Sequence, residues 1–237
     1  NVIRLKGICK KYNIKIIEDA SESLGSFVKF NNKKIHTGLM GDIGCMSFNA
    51  NKIITTGSGG MILTNKKSYF NRAFYLSTQS KNDSIFFKHN EVGYNYRMDN
   101  LSASLGLSQF NKIKQILKKK RNDYLLYKKS FSKDKNFEII GTPDQTICNN
   151  WLNIIKIKKK ITKKTFRRFI YELHKRKINV RPIWYPNHLQ KHLKKYEKFK
   201  LKKINSYMNN IICLPSSFNL KKRDIFFVSR LIKKMKL

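Results

Sequence analysis

Acidic residues are scarce. Only 14 Asp and Glu stand against 51 Lys and Arg, a formal charge of +37 over 237 residues. Such an imbalance points either to an anionic partner, nucleic acid or a charged membrane surface, or to a lysine-rich background in which solvated positions default to Lys and Asn. The basic runs at Lys33–Lys34, Lys66–Lys67, Lys118–Arg121, Lys158–Lys164, Lys202–Lys203 and Lys233–Lys234 are spread along the chain. They do not gather in one arm, and no zinc-finger spacing or RNP-type aromatic signature accompanies them. The expectation is therefore no specific nucleic acid, with a surface that suits a diphosphate-bearing substrate.

Cysteine pairs are missing too. Cys9, Cys45, Cys148 and Cys213 are far apart and form no C-x-x-C, which excludes a zinc ribbon and a disulfide framework and fits a reducing cytoplasm. No apolar run is long enough to cross a membrane and no signal peptide is visible, so no membrane insertion is expected. The chain opens at Asn1 without an initiator Met, directly in a helical pattern, and is expected to be a fragment or a processed product. What is present, 41% hydrophobic and 12% aromatic residues, suits a globular protein that packs a core without staples.

Val2, Leu5 and Ile8 with interleaved lysines predict an amphipathic helix, followed by a short buried strand, Lys15–Asp19, that ends in two acids. Helix then strand points to an α/β fold with a mostly parallel sheet, in which ligands gather at the carboxyl ends of strands, where Asp19 falls. Ile43–Phe48 and Met61–Thr64 predict strands flanking a glycine-rich loop that carries Lys52. Residues 66–80 predict a helix, and Asp99 or Asn100 caps a long one running through Leu117 to Tyr127. Gly141-Thr142-Pro143 marks a turn. Beyond it Trp151–Ile157 reads as a strand, Lys163–Lys177 as a helix, Ile178–Pro182 as an edge strand and Asp224–Lys236 as a final helix. The expected division is a larger α/β part over residues 1–110 and a smaller α+β part over 111–237.

An aldehyde cofactor needs an amine to hold it, an acid to keep its pyridine nitrogen protonated, and hydroxyls and backbone donors for its phosphate. Lys52, Asp19 and Ser47 supply each type. Residue types alone do not single out this chemistry, because a strand-tip acid is often a cap and a loop lysine is often solvated.

The order of blocks says more. Glu18-Asp19-Ala20-Ser21-Glu22-Ser23-Leu24-Gly25-Ser26 is followed by Gly38-Leu39-Met40-Gly41-Asp42-Ile43-Gly44 and then by residues 47–60. Later come Gly93-Tyr94-Asn95-Tyr96-Arg97-Met98-Asp99-Asn100-Leu101 with Gly106 and Gln109, residues 181–189, and Cys213-Leu214-Pro215-Ser216. In this order the chain resembles the DegT/DnrJ/StrS family of sugar aminotransferases. The resemblance implies pyridoxal 5'-phosphate as cofactor, the aspartate aminotransferase fold type, and a cytoplasmic homodimer with shared active sites. Amine transfer from L-glutamate to a nucleotide-linked 4-keto-6-deoxy sugar, for surface polysaccharide or glycan synthesis, follows from the same likeness.

Position by position, Lys52 matches the lysine that carries the cofactor and moves the proton at the substrate carbon. Asp19 matches the partner of the pyridine nitrogen, Ser47 a phosphate ligand, and Asn95 a residue that reaches the phosphate from the neighbouring subunit. His188, Trp184 and Arg181 fall in a block near the sugar-nucleotide site. Lys52 itself argues against the dehydratases of this family, which resemble enzymes with histidine there. Glu22 stands where the family often has glutamine; a glutamine amide donates to the cofactor's phenolic oxygen and an ionised carboxylate does not. The resemblance also implies an upstream phosphate loop and a stacking aromatic, neither of which precedes Asn1. The alternatives are an inactive or incomplete fragment of such an enzyme, and a basic nucleic-acid-binding protein, which a salt-dependent affinity for DNA or RNA would distinguish.

Overall fold

The structure is a computed structural model that describes residues 2–83, 85–199, 201 and 203–235, and the chain groups into two compact units. Asn1–Leu117 and Thr142–Trp151 form the first, Lys118–Gly141 and Leu152–Leu237 the second. The division read from the sequence at residue 110 thus falls instead inside a helix, and residues 142–151 join the first unit rather than the C-terminal part.

The first unit opens with α1 (Val2–Lys11) and β1 (Ile17–Asp19). A hairpin the sequence reading did not anticipate follows, β2 (Phe27–Phe30) and β3 (Lys33–His36). Its two turn residues, Asn31 and Asn32, both take positive φ, the geometry that two-residue hairpins demand and Asn tolerates. β4 (Ile43–Ser47) then pairs parallel to β1, with Asp19 opposite Cys45, and β5 (Gly60–Leu63) pairs antiparallel to β4. The parallel pairing is as expected, and it places Asp19 and Ser47 at the same end of neighbouring strands.

Next come α2 (Lys67–Ser77), the short pair β6 (Lys81–Asp83) and β7 (Lys88–His89), and α3 (Asn100–Phe110). Asp99 caps α3, accepting from the Ser102 N–H at 2.8 Å. The single long helix read from the periodicity is in fact two. α3 closes with a tightened turn, Lys112 N–H to Gln109 O at 2.9 Å, and α4 (Ile113–Phe131) begins after it and runs past Tyr127. Ala20, Met46, Phe48 and Ile54 form the buried centre of this unit, with Leu63, Met98, Ile113 and Ile116 against it.

The second unit takes α4 from Lys118 onward and then β8 (Phe137–Ile139). The chain returns to the first unit for β9 (Thr146–Ile147), which pairs with β2, before re-entering the second as β10 (Asn153–Ile157). The strand read as Trp151–Ile157 therefore starts two residues later. α5 (Lys163–Lys175), β11 (Arg181–Pro182), α6 (Ile204–Tyr207), β12 (Ile211–Leu214) and α7 (Lys222–Lys234) complete it. Lys236, the expected end of the last helix, lies outside the described residues.

The sheet order is β11-β12-β10-β8, all antiparallel, with Pro182 on the edge strand where its missing N–H costs no ladder bond. Phe166, Phe169, Ile170 and Leu173 recur at helical spacing on α5, as do Ile225, Val228 and Ile232 on α7. Both stripes pack in one core with Ile155, Ile157 and Ile212 of the sheet. Among the described residues no helix is long and apolar enough to cross a membrane.

Candidate active site

β1 ends in two acids that point to opposite faces, as neighbours on a strand do. The Glu18 carboxylate accepts the backbone N–H groups of Gly38, Met40 and Gly41 at 2.9, 2.6 and 2.5 Å and braces that loop. Asp19 is left exposed at the strand end, accepting the Ser21 N–H at 3.2 Å. The Ser21 hydroxyl and N–H hold its carboxyl below the usual carboxylate range, and the Lys52 charge adds to this. Asp19 is thus ionised near neutral pH, as a partner for a cationic ring nitrogen must be.

Lys52 rides a loop closed at its base by Phe48, whose N–H donates to Gly59 O and whose carbonyl accepts from Thr56 N–H, each at 2.9 Å. Gln109 from α3 grips the loop's far side, donating to Thr55 O at 2.7 Å and accepting from Thr55 N–H at 3.1 Å. Gly106 lets α3 come this close, since a Cβ there would lie 2.7 Å from the Thr56 methyl. Gly57 and Gly59 turn the loop through positive φ, a region L side chains seldom adopt.

The Lys52 side chain is nearly enclosed, 13% exposed against 48% for Glu22. Its ammonium lies 3.5 Å from Glu22 Oε1 and 4.7 Å from the centre of the Trp151 ring. Glu22, Ser47, Lys52 and Trp151 line one small cleft together with Ser21. Among the described residues the Ser47 hydroxyl accepts only a long 3.3 Å bond from Asn49 N–H, so it retains donor capacity for an anion. Of the residues read from the sequence, Lys52, Asp19, Glu22 and Ser47 come together.

Asn95 lies elsewhere in this unit. It bridges Thr78 and lines a wider apolar groove with Met61, Phe74 and Tyr96. Arg181, Trp184 and His188 belong to the second unit, Arg181 on the edge strand, Trp184 exposed and His188 in the short turn Asn187–Leu189. Sequence reasoning missed Ser21, Asn149 and Trp151 as site residues. For Asn149 and Trp151 the one available signal was the Asn149-Asn150-Trp151 run, polar residues beside an aromatic just before a strand; Ser21 lay inside the block Glu18–Ser26.

The profile of the DegT/DnrJ/EryC1/StrS aminotransferase family matches residues 1–233. The chain belongs to this family. EpsN of Bacillus subtilis is 29% identical over 217 residues, 90% of this chain and 54% of that protein. GDP-perosamine synthase of Vibrio cholerae is 32% identical over 222 residues, 90% of this chain and 56% of that one. Among solved structures, Helicobacter pylori PseC, an aminotransferase of pseudoaminic acid biosynthesis, superposes with a TM-score of 0.85 at 25% identity, covering 96% of this chain and 61% of its own. The chain thus spans a little over half the length of the curated relatives it matches.

Aminotransferases of the DegT/DnrJ/EryC1/StrS family depend on pyridoxal phosphate. The residues present fit that group by their chemistry: a nearly enclosed amine at Lys52, an ionised carboxylate at Asp19, a hydroxyl with spare donor capacity at Ser47, and a loop kept free of side chains at Gly57, where nothing lies within 4 Å of an added Cβ. Glu22 departs from the expected glutamine, and here its carboxylate is the ion-pair partner of Lys52.

Proposed function

We propose that this chain is the lysine-bearing part of a pyridoxal-phosphate-dependent transaminase. In this reading it moves an amino group from L-glutamate to a nucleotide-linked 4-keto-6-deoxy sugar, in the cytoplasm, for surface polysaccharide or glycan synthesis. The observation that carries the reading is the meeting of Lys52 with Glu22, Ser47 and the strand-tip Asp19 in a member of this family.

When bound, pyridoxal phosphate supplies an aldehyde that condenses with amines and a protonated ring that accepts the electron pair released at the substrate carbon. Lys52 would hold the cofactor through its amine and would move the proton between the substrate carbon and the cofactor in each half of the reaction. Asp19, held ionised by Ser21, would keep the ring nitrogen protonated. Ser47 and Asn95 serve the phosphate, Asn95 from the neighbouring subunit of a homodimer. Arg181, Trp184 and His188 are assigned to the sugar nucleotide, and the basic surface draws its diphosphate.

Borohydride reduction of the yellow, cofactor-loaded protein should fix the label on the peptide containing Lys52, and Lys52→Ala should abolish both label and turnover with the fold retained. Label on another lysine would overturn the assignment. Asp19→Asn keeps the shape but removes the charge, and should slow proton transfer more than it weakens cofactor binding; unchanged turnover removes Asp19 from the mechanism.

A further inference from the structure

The segment Thr142–Trp151 leaves the second unit, packs with the first and then goes back. Its course in the first unit is built in detail. β9 adds to β2, with Thr146 opposite Val28 and Ile147 opposite Phe27, and Lys29 N–H donates to Gln145 O at 2.7 Å. Asn149 follows, buried, its side-chain amide donating to Glu22 O at 2.9 Å and Leu24 O at 3.0 Å. Its amide oxygen accepts the Trp151 N–H at 3.0 Å, while its own N–H reaches Ser26 Oγ at 3.1 Å. Asn150 between them takes φ +50°, a left-handed turn for which Asn is suited, and this reverses the chain. Trp151 is delivered at the end, 9% exposed, with its indole N–H on Asn51 O at 2.7 Å and its ring 4.7 Å from the Lys52 ammonium.

We infer that Trp151 is the positioning residue for Lys52, and that Asn149 is the latch that holds Trp151 and Glu22 in register. The indole plays two parts. Its N–H ties down the residue before Lys52, which fixes where the lysine backbone sits. Its face lies against the charged amine inside the 6 Å range of cation–π attraction and shields one side of it from water. Asn149 holds the backbone of Glu22, the carboxylate that approaches the same amine. One short returning segment thus sets both neighbours of the amine, and a side chain with four rotatable bonds is kept in one place before any ligand arrives. That is the preorganisation a covalently acting lysine requires. The inference deepens the reading of Lys52 as the reactive amine, and rests on it for its significance but not for its test.

The test reads Lys52 in the cofactor-free chain by residue-resolved acylation of its lysines, with the exposed lysines of α5 as internal reference. Trp151→Leu should raise the Lys52 labelling rate about three- to tenfold, the range implied by the loss of an aromatic–cation contact, while the reference lysines are unchanged. Trp151→Phe keeps an aromatic face and should hold the Lys52 rate within about twofold of the parent. Because it lacks the N–H, it should also speed amide exchange over residues 49–53. Asn149→Ala should shift Lys52 in the same direction as Trp151→Leu and by less. If Trp151→Leu does not fold, Trp151→Met serves the same comparison. Equal Lys52 rates in the parent and in the aliphatic variants, or a Phe variant as fast as the aliphatic ones, would overturn the proposal. Borohydride labelling of the loaded parent is run alongside. If the label misses Lys52, the transaminase reading fails while the positioning result stands on its own.

Discussion

The two units bury their apolar residues in different ways. In the second, α5 and α7 each turn a helical stripe onto the antiparallel sheet, and Ile155, Ile157, Leu173, Ile212 and Ile225 are fully enclosed. In the first, the buried centre is the small cluster around Ala20, Met46, Phe48 and Ile54, beside the loop that carries Lys52. Many of its remaining apolar side chains face outward: Met61 and Ile62 on β5, Phe70 and Phe74 on α2, and the stacked pair Tyr94 and Tyr96. The second unit gathers a large core, although Trp184, Tyr185 and Phe227 stay exposed there, whereas the first builds its small core beside polar and glycine positions and exposes more of its apolar side chains. Exposed apolar patches of this kind are candidate interaction or ligand surfaces.

The contrast can be broken most directly by truncation. Leu173→Ala in the second unit should cost ~2–5 kcal/mol, the range for deleting a buried leucine side chain. Ile62→Ala, at 56% exposure, should stay within ~0.5 kcal/mol. Denaturant titrations of the two variants check this. A large loss at Ile62 would mean that something covers β5 in solution, and would erase the difference drawn between the units.

Helix caps sharpen the comparison, because a side-chain N-cap occurs in each unit. Thr162 accepts the Thr165 N–H at 3.1 Å at the start of α5, and Asp99 accepts the Ser102 N–H at 2.8 Å at the start of α3. Replacing either by Ala should cost ~1 kcal/mol. In a thermal scan, Thr162→Ala and Leu173→Ala should move the same transition. Asp99→Ala should move a second, if the units unfold separately as two-unit chains often do. A single transition shifted alike by all three would show that the units unfold as one.

How far the sequence revealed these features depended on whether the physics was local. The apolar pattern announced α1, the helices α2, α5 and α7 were read within a few residues of their bounds, and the apolar runs Ile43–Phe48 and Met61–Thr64 announced the strands flanking Lys52. Block order grouped Lys52, Asp19, Glu22 and Ser47; Glu22, Ser47 and Lys52 line one small cleft, and Asp19 stands at the end of β1. The break between α3 and α4 was hidden, because the apolar period continues through Ile113 and Ile116 while the turn is made by backbone bonds at Gln109–Lys112. The returning segment was hidden for a different reason. Thr146 and Ile147 pair with a hairpin over a hundred residues earlier, and Asn149 holds carbonyls 125 and 127 residues away. No window along the chain reports a contact of that span. The role of Glu18 was equally illegible, since nothing along the chain shows that its carboxylate takes the loop amides of Gly38, Met40 and Gly41.

The finest distinction concerns Asp19 and its place beside Ser21. The Ser21 hydroxyl is the largest influence holding the Asp19 carboxyl below its usual range, ahead of the Ser21 N–H and the Lys52 charge. A depressed folded value means that the ionised form is favoured by folding. The associated stability is present above the ordinary carboxylate value, ~3.9 for Asp, and is lost as pH falls through the folded value. Ser21→Ala removes the hydroxyl and keeps the N–H, so the Asp19 midpoint should rise part of the way back toward the ordinary value. Lys52→Ala should raise it by less. Carbon-detected NMR of the Asp19 carboxyl between pH 2 and 6 follows both, and any stability lost at neutral pH should track the rise of the midpoint. An Asp19 titration untouched by Ser21→Ala would detach the serine from the site. The acid would then owe its ionisation to the lysine across the cleft, and the order of the two variants in the titration would reverse.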